Sequence, residues 1–160
     1  MLTPSTLDGA LAGGWFGAGL SESVLVRLAD LAELTTYPVG ATILREGAAV
    51  DTLGVVAEGR VAIRLYVPGR GMQTILTVET GDLVGWSSVV PPYRSTSTVI
   101  ALEPTTVVNF HGPALRGAMD ADPVLAAALM SRILQAVVRR LTATRTQLLD
   151  LFARSEGEPW

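Results

Sequence analysis

Six residues between positions 85 and 96 have the chemistry needed to bind a phosphate group. They are one glycine, one arginine and four hydroxyl residues: Gly85, Ser87, Ser88, Arg94, Ser95 and Thr96. A glycine lets the backbone approach a ligand closely, and serine and threonine offer hydroxyl donors. A guanidinium can bind two phosphate oxygens at once. The same residue types are common in solvated turns, so chemistry alone leaves a plain polar loop open as the alternative.

The composition excludes several classes of protein. The chain has 160 residues, of which 49% are hydrophobic and 17% are charged, which suits one domain with a buried core. Cysteine is absent, and this excludes disulfides, thiolate zinc sites and cysteine nucleophiles. The single histidine, His111, has no cluster of carboxylates at metal-binding spacing, and Glu79 and Asp82 have the positions of strand-end and turn residues. We therefore expect no metal site, no catalytic residues and no enzymatic activity.

Charge and hydropathy indicate which partners to expect. Fifteen acidic and twelve basic residues give a net charge of -3, and every basic residue is an arginine. This balance gives no electrostatic reason to bind DNA or an anionic membrane directly. The longest charge-free stretch, residues 9–21, has 13 residues and is too short to span a bilayer. We expect a cytoplasmic protein, and the arginine-rich, lysine-free composition suggests a bacterial source with a GC-rich genome.

The candidate residues lie in the second of four predicted segments. The segments are an N-terminal helical segment, a β-barrel, a long helix and a short tail: residues 1–35, 36–120, 121–155 and 156–160. Ser21 is the predicted N-cap of a helix in the first segment, and Asp122 followed by Pro123 is the predicted start of the long helix.

Short β-branched runs separated by glycines predict a β-sandwich or barrel in the second segment. Strands over residues 55–57, 61–66 and 72–78 are separated by turn sequences. We expect these three strands to form two successive hairpins.

The long helix is expected to carry two apolar stripes. About 30 residues at 1.5 Å per residue give a helix about 45 Å long, more than its own domain can cover. One stripe, expected to pack on the barrel, contains Leu125, Leu129, Ile133 and Ala136. The other has an alternating four-three spacing: Met130, Leu134, Val137, Leu141, Thr144, Leu148 and Leu151. We expect this second stripe to form a parallel homodimer, the alternative being an ordinary amphipathic helix within one chain.

The order of these segments, together with four short motifs, resembles the cyclic-nucleotide-binding domain family. The nearest resemblance is to the sensor domains of catabolite-activator (Crp/Fnr) type bacterial regulators. The motifs are YPVGATILREG, EGRV, GDLVG and RST, at residues 37–47, 58–61, 81–85 and 94–96. The resemblance implies a mainly β fold with flanking helices, in which an eight-stranded jelly-roll barrel is followed by a long C-terminal dimerisation helix.

The resemblance also implies roles for individual residues. In relatives that bind cyclic nucleotides, a loop glycine and an arginine hold the cyclic phosphate, and Gly85 and Arg94 match those positions. A glutamate that binds the ribose follows the glycine in those relatives, whereas this chain has Trp86, whose indole is large enough to fill the sugar space. Thr144 lies where the long helix of the relatives presents a polar side chain to the base. Its alternative role is that of a tolerated interruption in the helix stripe.

Two functional hypotheses result. Regulators of this family usually continue into a DNA-binding winged helix-turn-helix, and this chain ends at Trp160 without one. The first hypothesis is a stand-alone sensor without a resident cofactor, which binds cyclic AMP, cyclic GMP or a related phosphate ligand. It signals through the dimer helix to an unknown protein partner, and it requires Arg94 to be buried and to face the phosphate. The second is a ligand-free dimeric interaction module in which Trp86 fills the pocket.

Overall fold

The computed structural model of the chain describes residue 9 and residues 15–155, so the predicted tail lies outside the described residues. The strands are β1 (Ala32–Tyr37), β2 (Thr42–Leu44), β3 (Thr52–Glu58), β4 (Val61–Val67), β5 (Gly71–Val78), β6 (Leu83–Val84), β7 (Thr98–Ala101) and β8 (Thr105–His111). The helices are α1 (Glu22–Leu31), α2 (Gly112–Ala121) and α3 (Pro123–Ser155), and a short 3-10 turn covers Trp86–Ser88.

The strands form two four-stranded antiparallel sheets. Their orders are β1-β8-β3-β6 and β2-β7-β4-β5. Aliphatic side chains from both sheets meet in one buried cluster that fills the barrel: Val56, Val61, Ile63, Val78, Val84 and Val99. The predicted jelly-roll barrel with flanking helices and a long C-terminal helix is confirmed.

A second core lies on the outer face of the first sheet. Successive strand residues point to opposite faces, so Val56 faces the barrel interior and Val55 faces the helices. The outer core joins buried side chains of this sheet to side chains of all three helices: Val55, Phe110, Leu28, Leu115, Leu125 and Leu129. The helices are therefore held on one side of the barrel by apolar burial.

Both predicted N-caps are confirmed. The hydroxyl of Ser21 accepts a hydrogen bond of 3.4 Å from the backbone N–H of Val24. The carboxylate of Asp122 accepts bonds from the backbone N–H groups of Val124 (3.1 Å) and Leu125 (3.2 Å). Each cap satisfies donors that have no partner within the helix itself.

Two boundaries differ from the prediction. Strand β1 begins at Ala32, so residues 32–35 were wrongly assigned to the helical segment; pairing of β1 along the whole of β8 outweighs the local helical pattern. Helix α2 occupies the end of the segment predicted as barrel. Its Leu115 and Met119 are buried four residues apart, but Gly112 and Gly117 interrupt the sequence pattern that would have revealed it.

One of the two predicted hairpins is confirmed, and the other is wrong. Strands β4 and β5 pair as an antiparallel hairpin, with Val61 opposite Val78 and one register shift between Ile63 and Arg64. Strand β3 does not pair with β4, because the chain crosses from the first sheet to the second at Gly59. Gly59 has a φ of +95°, and a Cβ atom there would lie 2.6 Å from the carbonyl oxygen of Pro104. A glycine is therefore required at this corner.

Helix α3 has 33 residues and a length of about 50 Å. Its predicted barrel-facing stripe is confirmed, because Leu125, Leu129, Ile133 and Ala136 are all buried. The apolar side chains of its other predicted stripe are exposed: Met130, Leu134, Val137, Leu141, Leu148 and Leu151. Pairing of that stripe with a second copy stays a prediction.

No helix among residues 15–155 has both the length and the apolar character needed to cross a bilayer.

Candidate functional site

A cavity of about 300 Å³ lies between the second sheet and helix α3. Its apolar walls come from β4, β5 and α3: Ile63, Leu65, Ile75, Leu76, Val137 and Leu141. Its remaining lining is Trp86 with four polar residues, Thr96, Ser97, Arg140 and Thr144. The volume lies at the lower end of the range of small-molecule sites. The cavity is thus a mainly apolar site with a polar group of side chains beside the Trp86 loop.

The Gly85 loop approaches the rest of the barrel closely. Gly85 has a φ of +78°, and a Cβ atom there would lie 2.3 Å from the carbonyl oxygen of Thr52. The loop then turns through the 3-10 segment, where the N–H of Ser88 donates to the carbonyl of Gly85 at 3.0 Å. Ser87 and Ser88 are buried, and the Ser88 hydroxyl has no hydrogen-bond partner in the described part of the chain.

Little room exists beside this loop for a sugar phosphate. The void bordered by Gly85, Trp86, Ser87 and Ser95 has a volume of only about 10 Å³, which is at the lower limit for one water molecule. Trp86 and Arg140 border both this void and the larger cavity. Little open space therefore remains beside the Gly85 loop, where the family resemblance would place a cyclic phosphate.

Arg140 lies on top of Trp86. Its guanidinium carbon is 4.2 Å from the centroid of the indole, a cation–π distance, and one terminal nitrogen donates to the carbonyl of Leu83. Its Nε atom is buried and has no hydrogen-bond partner among the described residues. Burial lowers the pKa of Arg140 to about 10, and the negative charge of Asp82 opposes that shift in part.

Sequence analysis missed Arg140, although the sequence contains a signal for it. The buried stripe of α3 ends at Ile133 and Ala136, and Arg140 is the next residue at the same spacing. A charged residue in a buried stripe indicates a buried partner or a ligand. Ser97 was also missed; it lies two residues after Ser95 and shares with Thr96 the lining of both spaces.

The structure separates Arg94 from the other predicted residues. Arg94 is exposed, and its guanidinium donates to the carbonyl of Gly47 at 2.9 Å. The expectation of a buried Arg94 is therefore wrong, and its contact with a ligand phosphate stays a prediction. The physical reason is an isolated β-bridge between Arg94 and Ala49, which fixes the backbone beside that carbonyl.

The other predicted residues lie closer to the site. Ser95 is buried, and its hydroxyl donates to the carbonyl of Ser97 at 2.5 Å. Thr96 and Thr144 line the cavity from opposite sides. The Thr144 hydroxyl donates a hydrogen bond of 2.8 Å to the carbonyl of Arg140. Toward a ligand it can therefore act only as an acceptor.

Comparison with known proteins decides the family. The family model described as the cyclic nucleotide-binding domain matches residues 34–122, more than half of the chain. The chain belongs to the cyclic nucleotide-binding domain family. This is a family of regulatory binding domains, and within the described residues no group of three or more His, Asp or Glu side chains could hold a metal ion.

Two curated proteins show the range of relatives. An isozyme 1 cGMP-dependent protein kinase of Drosophila melanogaster is 33% identical over 87 residues, which are 53% of this chain and 11% of the kinase. A CRP-like cAMP-activated global transcriptional regulator of Mycobacterium tuberculosis is 27% identical over 146 residues, which are 91% of this chain and 63% of the regulator. The chain thus spans less than two thirds of the length of either relative.

Solved structures agree with the fold. A protein of Geobacter metallireducens described as a cyclic nucleotide-binding protein is 30% identical, with a TM-score of 0.75 over 88% of this chain and 99% of that one. A cyclic nucleotide-binding domain of Methylobacillus flagellatus has a TM-score of 0.81 at 21% identity, over 92% of this chain and 84% of that one. The second likeness supports the fold alone.

A pair of glycine variants tests the close approach of the Gly85 loop. Gly85 and Gly69 have nearly the same positive φ, +78° and +80°, but a Cβ atom on Gly69 would have no neighbour within 4 Å. Gly69→Ala should therefore cost only the backbone strain, about 1–2 kcal/mol. Gly85→Ala adds a clash with backbone and should cost at least about 3 kcal/mol. Urea unfolding measures both losses, and equal losses would contradict the close approach.

Proposed function

We propose that this domain is a small-molecule sensor. In this proposal it binds cyclic AMP, cyclic GMP or a related small phosphate-bearing ligand in the cavity between the barrel and α3. The bound ligand changes how α3 packs, and the helix transmits the change to a protein partner. The observation that carries the proposal is the cavity of about 300 Å³ whose walls are shared by the barrel and the long helix.

Three further points support it. The chain belongs to a family of cyclic nucleotide-binding domains. Relatives with this domain are described as a cGMP-dependent kinase and as a cAMP-activated regulator, so the domain serves ligand control in more than one class of protein. Helix α3 contributes Val137, Leu141 and Thr144 to the cavity, so an occupant contacts the helix directly. Differential binding to two positions of α3 is sufficient for a switch.

Thermal unfolding with cyclic AMP, cyclic GMP and adenosine tests the proposal. A ligand at a hundredfold excess over its dissociation constant stabilises the folded state by about 2.7 kcal/mol, or about 5–10 °C in a domain of this size. We expect a shift of that size with a cyclic nucleotide and none with adenosine, which lacks the phosphate. No shift with either cyclic nucleotide would contradict cyclic-nucleotide binding in this cavity.

The phosphate contact of Arg94 stays a prediction that can be tested separately. Such a contact requires the side chain to leave the carbonyl of Gly47. If Arg94→Ala loses the thermal shift with cyclic nucleotide, Arg94 contacts the phosphate. If the thermal shift is unchanged, Arg94 is not part of the ligand site.

One observation favours a second candidate, a ligand-free interaction module. The void beside the Gly85 loop has a volume of only about 10 Å³, and Trp86 and Arg140 both line it. In this case the wild type gives no thermal shift, whereas Trp86→Glu, which introduces the carboxylate implied by the family resemblance, gives one with cyclic AMP. A response of the wild type itself contradicts this candidate.

We also propose that α3 pairs with the α3 of a second copy. The stripe from Met130 to Leu151 is apolar at nearly every heptad position and is exposed in the single chain. It is longer than the part of α3 that the barrel covers, since the buried stripe ends at Ala136. A parallel two-stranded coiled coil would bury this stripe and bring the two cavities to the two sides of one helix pair.

Two neighbouring leucines provide a matched test of this dimer. Leu148 lies in the stripe and Leu149 lies outside it, and both are exposed in the single chain. Leu148→Asp should give a monomer in analytical ultracentrifugation, because it places a carboxylate in the apolar stripe of each of the two paired helices. Leu149→Asp should remain a dimer. A monomeric wild type, or the same effect from both substitutions, would rule out pairing through this stripe.

A further inference from the structure

Arg140 is a largely buried cation without an ion-pair partner. The two ion pairs between residues 15 and 155 join Arg27 to Asp122 and Arg60 to Glu103, so neither includes Arg140. One of its terminal nitrogens donates to Leu83, but its Nε–H has no acceptor within the described residues. The charge of Asp82 acts on Arg140 only from beyond ion-pair distance, so this largely buried guanidinium has lost hydration without full compensation. An acidic group placed beside it would supply that compensation.

The surroundings of Arg140 fit a compact anion. Thr96 and Ser97 border the cavity together with Arg140, and their hydroxyls are additional donors at its polar end. A guanidinium with two hydroxyls suits a carboxylate or a phosphate monoester, because each offers at least two acceptor oxygens in one plane.

The rest of the cavity fits an apolar body. Beyond its polar end the walls are aliphatic, with Leu65, Ile75 and Leu76 on the barrel side and Leu141 on the helix side. Among the described residues that line the cavity, Arg140 is the single charged one. A ligand with several hydroxyls would lose its hydration there without finding enough partners.

We propose that the ligand of this cavity is an acid with an apolar body, whose carboxylate or phosphate is held by Arg140 with Thr96 and Ser97. This inference rests on the proposed ligand-binding function and narrows its ligand class. It also gives Arg140 a second role, because the residue that holds the anion belongs to α3 itself. When the guanidinium of Arg140 forms a charge-assisted hydrogen bond with the anion, it loses part of its contact with Trp86. Helix α3, which carries Arg140, then shifts together with the guanidinium.

Isothermal titration calorimetry with three naphthalene compounds tests this ligand class on the full chain. The probes are 1-naphthoate, 1-naphthyl phosphate and the uncharged 1-naphthamide, which share one apolar body and differ in the terminal group. We expect at least one of the two acids to bind about tenfold or more tightly than the amide, as expected for charge-assisted hydrogen bonds. The stronger of the two acids identifies which anion the site prefers.

Two neighbouring arginines on α3 give the matched variants. Arg140→Gln should reduce the preference for the acid to about twofold or less, whereas Arg139→Gln should leave it unchanged, since Arg139 stacks on Trp15 outside the cavity. Arg140→Lys, which keeps the charge and loses the planar fork, should retain part of the preference and replaces Arg140→Gln if that variant does not fold. Equal binding of acids and amide by the wild type overturns the inference, and so does a full preference in Arg140→Gln.

Failure of this inference can be told from failure of the proposed function. Cyclic AMP or cyclic GMP is titrated into the same proteins. Binding of a cyclic nucleotide that is unchanged in Arg140→Gln, with no preference for the naphthalene acids, supports the sensor function and overturns the role of Arg140. Absence of binding by every compound overturns both.

Discussion

The stacking of the Arg140 guanidinium on the Trp86 indole is the interaction on which the proposed mechanism depends. It joins the long helix α3 to the loop of the barrel where the family resemblance places the ligand phosphate. The stacked pair lines both the void of about 10 Å³ beside Gly85 and the cavity of about 300 Å³ along the helix. A cation–π pair contributes about 0.5–1 kcal/mol when exposed and about 2 kcal/mol when shielded from water, and both residues of this pair are partly buried. That is enough to hold a helix in one position and small enough for a ligand to compete with.

Helix α3 is held from two sides by neighbouring residues. Arg140 stacks on Trp86 of the barrel, and Arg139 stacks on Trp15 of the N-terminal segment, with its guanidinium carbon 5.0 Å from the ring centroid. Arg132, further back on the helix, donates to the backbone of the same N-terminal segment at Ala18. Among residues 137–154, no apolar side chain is buried. In the proposed function, a change at the two arginine stacks would be transmitted to the exposed end of the helix, which carries the stripe proposed to form the dimer.

Sequence patterns predicted the fold better than the site. The alternation of apolar residues, the glycines at turns and the caps at Ser21 and Asp122 are local signals, so the barrel and both of the predicted helices were recognisable. A turn at Gly59 does not say which sheet the next strand joins, so one hairpin was wrong. The direction of the Arg94 side chain depends on a carbonyl 47 residues earlier in the chain, which local patterns do not contain. Arg140 is different, because its place in the buried stripe was visible in the sequence.

A double-mutant cycle on Trp86 and Arg140 tests the central claim most directly. The free energy of unfolding in urea is measured for the wild type, Trp86→Leu, Arg140→Met and the double variant. All four are measured at one protein concentration, because the stability of the proposed dimer would depend on it. The account predicts that the two substitutions are coupled by about 1 kcal/mol or more, since either one alone removes the stacking. Losses that add to within about 0.3 kcal/mol would show that the two residues are merely neighbours. In that case the contact between Trp86 and Arg140 would not join α3 to the Gly85 loop.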